Sequence, residues 1–152
     1  MSAALLAYLH FLGVAALFTT LAAERLLFRV DLPIAEHRRL VFVDLAYGGA
    51  ATLVLVTGLA RVFTSPKGTA FYFHNPLFHG LGAVFLVAAL LSLYPTRRLI
   101  TRWRALRAGD AASLDARVGG RVIVIFNLEL VLLLLALALA VLMARGIGLG
   151  LT

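Results

Sequence analysis

The chain of 152 residues contains no cysteine. Disulfides, cysteine-ligated iron–sulfur clusters, thiolate-bound metals and a cysteine nucleophile are therefore excluded. Methionine is almost as scarce, with only Met1 and Met143. Charge is also thin. Charged residues make up 14% of the chain, against roughly a quarter in an ordinary soluble domain. No Lys or Arg precedes Arg25, and the first apolar run is longer than the roughly 7–15 residues of a signal-peptide core. That run is therefore expected to be a retained span rather than a cleaved leader. No G-x-S-x-G elbow, H-E-x-x-H pair or phosphate loop is present, so no hydrolytic signature appears.

What the chain does have is apolar sequence in long blocks. Apolar residues make up 62% of the chain, and the mean hydropathy is +1.01. This is the membrane class, and one bundle spanning residues 1–152 is the expected domain organisation. Residues 4–26 form the organising stretch, about as long as the ~20 apolar residues that cross a bilayer. At helical spacing His10, Gly13, Leu17, Thr20 and Glu24 share one face. Lipid can cover the rest.

Three further spans follow, at about 40–63, 76–94 and 121–143. Pro33 breaks the first connection, and Pro66-Lys67-Gly68 reads as a turn. Phe71, Tyr72 and Phe73 suit an aromatic belt, with a short strand as the lesser alternative. Asn75-Pro76 reads as a helix start. After Pro95, Leu99, Ile100, Trp103 and Leu106 recur at helical spacing among five arginines from Arg97 to Arg107. That pattern predicts a basic amphipathic helix on the membrane surface, with a solvated linker helix as the alternative. Gly119-Gly120 reads as a hinge. The expected fold is all-α: an antiparallel four-helix transmembrane bundle with that basic cytoplasmic helix between spans 3 and 4.

The net charge of +7 describes topology rather than a nucleic-acid partner. Arg25, Arg29, Arg38, Arg39, Arg97, Arg98, Arg102, Arg104, Arg107, Arg117 and Arg121 flank the first and third connections. Only Arg61, Lys67 and Arg145 lie on the other side. The arginine-rich side is expected to be cytoplasmic, with both termini periplasmic in a bacterial inner membrane.

This topology sorts the polar residues by depth. His10 and His79 are expected near the outer surface at similar depth, with Tyr72, His74, Arg61 and Lys67 close by. Neutral imidazoles from two helices can ligate haem iron from both faces, and Arg61 could pair with its propionates. The same histidines could hold copper or zinc, with His74 or Met143 completing the set. The bland alternative is that each histidine hydrogen-bonds a neighbouring helix. Glu24, Asp44 and Glu129 fall in the cytoplasmic half, with Asn127 beside them. Buried carboxyl groups are candidates for proton transfer or an ion site. Their bland alternative is pairing with Arg25, Arg39 or Arg121. The glycines Gly13, Gly48, Gly49, Gly80 and Gly82 read as close-packing positions.

The runs AYLHFLGVAALFTTLAAERLLFR, LVTGLARVF and HNPLFHGLGAVFLV, with the closing LMARGIG, resemble an uncharacterised family of predicted bacterial four-helix membrane proteins. More distantly, the chain is similar to copper-resistance D-like membrane proteins and to the HemJ type of protoporphyrinogen oxidase. Leu9-His10 and Arg25 resemble the first-helix motif of the HemJ type. Phe78-His79-Gly80-Leu81 matches the third-helix histidine but has Leu81 where a lysine would stand, and the tryptophan often found in the first helix is missing. The resemblance implies haem or porphyrin binding.

The leading expectation is therefore a small haem-b-binding membrane protein with an electron-transfer or porphyrin-linked redox role, which would make it a membrane oxidoreductase, with quinone or porphyrin as partner. The alternatives are a copper-handling or transport protein and a cofactor-free structural or assembly protein. Four spans are thin for a transporter acting alone, so a homo-oligomer is also an expectation.

Overall fold

The computed structural model describes residues 3–110 and 115–148. Five helices follow in order: α1 (Ala3–Leu27), α2 (Ile34–Thr64), α3 (Gly68–Phe73), α4 (Pro76–Arg107) and α5 (Ala116–Ala144). All but α3 are long and apolar enough to cross a membrane. The four long helices form a ring. α1 packs on α2 and α5, and α4 packs on the same two. Among the described residues no Cα of α1 comes within 8 Å of α4, and none of α2 within 8 Å of α5. Short α3 rests on α2 and α4.

Large apolar side chains such as Phe11, Leu26, Val124 and Leu134 are exposed on the outside of the ring. That suits lipid, where helices are held by packing and hydrogen bonds rather than by hiding apolar surface from water. Of the stripe marked by sequence spacing on α1, Gly13, Leu17 and Glu24 are buried and His10 and Thr20 half-buried, with Leu21 buried beside them.

Local chemistry sets the helix ends. Pro33 precedes α2 and takes its N-cap position, and the six residues after it are already helical. Asn75 caps α4 by accepting a hydrogen bond from the Leu77 N–H at 2.9 Å, with Pro76 in the first turn, where its missing N–H costs nothing. The aromatic run Phe71–Phe73 lies in helix α3.

Two features differ from the sequence reading. The basic segment is helical through Arg107, but it continues the third span directly, with Pro95 inside α4. Thirty-two residues at ~1.5 Å each give roughly 48 Å, longer than a bilayer core of about 30 Å. Leu99 is fully buried, and Ile100 and Trp103 pack against the core, so this face is turned to the bundle. Gly119-Gly120 is helical, not a hinge. A Cβ on Gly119 would lie 2.6 Å from Val30 Cγ2, so the glycine lets the α1–α2 connection settle onto α5. Residues 111–114 of the basic segment and 149–152 of the tail lie outside the described residues.

The α1–α2 connection closes the arginine-rich end of the bundle. Phe28 and Leu32 are buried, and Phe28 meets Phe126 edge-on with centroids 5.9 Å apart. Leu40, Leu99 and Val122 complete this plug.

Candidate carboxyl centre

Inside that plug lie three carboxyl groups. Glu24 comes from α1, Asp44 from α2 and Glu129 from α5, each no more than 3% exposed. They are close enough to interact electrostatically, Glu24 with both others and Glu129 with Asp44. Tyr47, one turn beyond Asp44 on α2, is buried and interacts with all three.

Their hydrogen bonding is sparse. Thr96 on α4 donates its hydroxyl to Asp44 Oδ1 at 2.8 Å. Asp44 Oδ2 and both oxygens of Glu24 and of Glu129 are buried without a hydrogen-bond partner among the described residues. Arginine pairing does not neutralise them. Arg25 instead donates through Nε to Asn127 Oδ1 at 2.8 Å, while Arg39 and Arg121 are exposed. Among the described residues no three His, Asp or Glu side chains come together in a way that could hold a metal ion.

The contributions of Tyr47 and Thr96 were not read from the sequence. Tyr47 carried a signal, since its spacing from Asp44 puts both on one helix face. Thr96 carried none, because its partner lies 52 residues away.

His10, His74 and His79 occupy the other end, with His10 and His79 on the diagonal helices α1 and α4. His10 is half-buried and bonded through Nδ1 to Thr57 Oγ1 at 2.9 Å. The Thr57 hydroxyl proton goes to the Leu53 carbonyl, so its oxygen accepts. His10 Nδ1–H is then the donor, and Nε2 keeps its lone pair. The ring sits over Gly58, where a Cβ would stand 3.3 Å from His10 Cε1. Arg61 lies on the same side of α2, 5.5 Å from the Phe11 ring centre.

His79 is exposed on α4, diagonal to α1, and its Nε2 bonds the Phe73 carbonyl at 3.0 Å. His74 bonds the Ala70 carbonyl at 2.9 Å. His37 is buried at the arginine-rich end and donates from Nε2 to the Leu99 carbonyl at 2.9 Å, tying α2 to α4. Met143 is buried in α5.

Four apolar spanning helices around an occluded acidic interior define a multi-pass membrane protein. The chain belongs to the family described as predicted membrane protein DUF2214, whose model matches residues 2–148. No curated protein and no solved structure gives a significant match.

Proposed function

We propose that this protein binds and releases protons at the Glu24–Asp44–Glu129 centre, in the service of proton-coupled transport across the membrane. The observation that carries the reading is the five carboxyl oxygens buried without a hydrogen-bond partner. An ionised carboxylate in an apolar interior is costly unless it is paired, and three together also repel one another. Protons relieve both costs. A metal shared by three such side chains finds no support, because no suitable grouping forms among the described residues.

The Phe28–Phe126 plug supports a transport class. It keeps the centre dry, so proton exchange requires the arginine-rich end to open. We assign that end to the cytoplasm of a bacterial inner membrane by the positive-inside rule. The test is proton movement in proteoliposomes under an imposed pH gradient, followed with an internal pH-sensitive dye. Protein-dependent flux should fall in Glu129→Gln and Glu24→Gln. Equal flux in wild type and both variants would sink the reading.

A second reading rests on His10. Its Nδ1–Thr57 bond leaves Nε2 as a free ligand atom, the arrangement that second-shell partners impose on ligating histidines. A haem or copper ion held through His10 is consistent with this, with Arg61 near enough to assist an anionic group. His79 stands on α4, diagonal to α1, and donates Nε2–H to the Phe73 carbonyl, which leaves only its Nδ1 for ligation. The test is the absorption spectrum of haem-supplied protein with and without His10→Ala. A spectrum without a Soret band would overturn the haem form.

A further inference from the structure

At the arginine-rich end, a groove of about 570 Å³ runs between α2 and α4. Ile34, Ala35, Arg38 and Phe42 line it from α2, and Trp103 and Arg107 from α4. We propose that this groove binds an anionic phospholipid, with its phosphate between Arg38 and Arg107 and the start of its acyl chains against Phe42 and Trp103.

The helix register supports this placement. The His37–Leu99 bond pins α2 to α4. Arg38 is the next residue on α2, and Trp103 lies one turn past Leu99 on α4. Along α2 the order from the helix end inward is Ile34, Arg38, Phe42, with one helical turn between each. Charge therefore sits near headgroup level and the aromatic surface lies deeper, on the side of the hydrocarbon. Phe42 is 59% exposed, so the lower groove opens directly onto lipid.

The Arg107 guanidinium stands 5.6 Å from the Trp103 ring centre, held over the groove wall. Neither Arg38 nor Arg107 has an ion-pair partner among the described residues. Two guanidinium groups over an apolar wall complement one phosphate diester with its chains. A zwitterionic lipid offers the same chains but adds a cation beside the two arginines.

Trp103 is the only tryptophan, so its fluorescence reports on this groove alone. The full chain would be placed in phosphatidylcholine vesicles containing a small fraction of phosphatidylglycerol brominated high in its acyl chains. Brominated phosphatidylcholine in the same fraction gives the reference. Phosphatidylglycerol should quench Trp103 with a relative association constant about fivefold higher, and the preference should shrink at high salt. The Arg38→Gln/Arg107→Gln double variant should quench equally with both lipids. Arg29→Gln removes the same sign of charge from the same end, at an exposed site outside the groove, and should keep the preference. Equal quenching in wild type would overturn the proposal, as would a preference that survives the double variant. Loss of the preference on adding millimolar inorganic phosphate would assign the site to a free anion and also overturn it.

Discussion

Arg25 Nε donates to Asn127 Oδ1 at 2.8 Å, although Glu24 is its neighbour in sequence and Glu129 lies two residues beyond Asn127. The Arg25 guanidinium is thus engaged by a neutral amide at the α1–α5 seam, and Glu24 and Glu129 have no hydrogen-bond partner among the described residues. Replacing Asn127 by Leu should lower stability by about 1 kcal/mol, the scale of side-chain hydrogen bonds in a bilayer. Circular dichroism during unfolding from mild detergent into sodium dodecyl sulfate measures it. An unchanged transition would mean that the pair contributes nothing.

Gly119 is a packing residue. With a Cβ only 2.6 Å from Val30 Cγ2, Gly119→Ala should cost about 1–3 kcal/mol by overpacking. Shortening the opposing side chain with Val30→Ala should recover most of that loss in the double variant. Additive losses would show that the two residues do not meet.

Much of the fold could be read from the sequence because it rests on local patterns. Of the stripe read at helical spacing, Gly13, Leu17 and Glu24 are buried and His10 and Thr20 half-buried, and Leu21 beside Thr20 completes the inward face. Asn75-Pro76 starts α4 because a cap acts within one turn. Gly119 misled because a glycine that admits a distant Val30 looks like a glycine that bends the chain. The centre was only half legible. Its three acids stand out as charges in apolar runs, but whether an arginine answers them depends on Asn127, which lies 102 residues from Arg25. His79 carries no local sign of which way its helix face turns.

Asn75 holds two elements at once. Besides capping α4, its Nδ2 donates to the Ile147 carbonyl at 3.1 Å, and Gly148 packs against its side chain with φ at +101°. Asn75→Ala should therefore cost about 1–2 kcal/mol, combining a lost cap with a lost clasp. Asn75→Asp keeps the cap acceptor but not the Nδ2 donor, so it should fall between wild type and Asn75→Ala in the same unfolding assay. An Asn75→Asp loss as large as that of Asn75→Ala would show that the cap adds nothing.

Haem binding, if it occurs through His10, should not depend on His79. In haem-supplied protein the Soret band should vanish in His10→Ala and persist in His79→Ala, because His79 is exposed on α4, diagonal to α1, with its Nε2–H given to the Phe73 carbonyl. Loss of the band in both variants would require α1 and α4 to meet in a different arrangement.

The central claim is that the buried carboxyl centre carries protons. Infrared spectroscopy of the protein in a detergent free of ester groups, at neutral pH, tests it most directly, through the carboxylic C=O stretch that a protonated carboxyl group shows and a carboxylate lacks. The account predicts that this band is present in wild type and weakened in Glu24→Gln and in Glu129→Gln. A neutral-pH spectrum with carboxylate bands alone, or a C=O band unchanged by both substitutions, would contradict it.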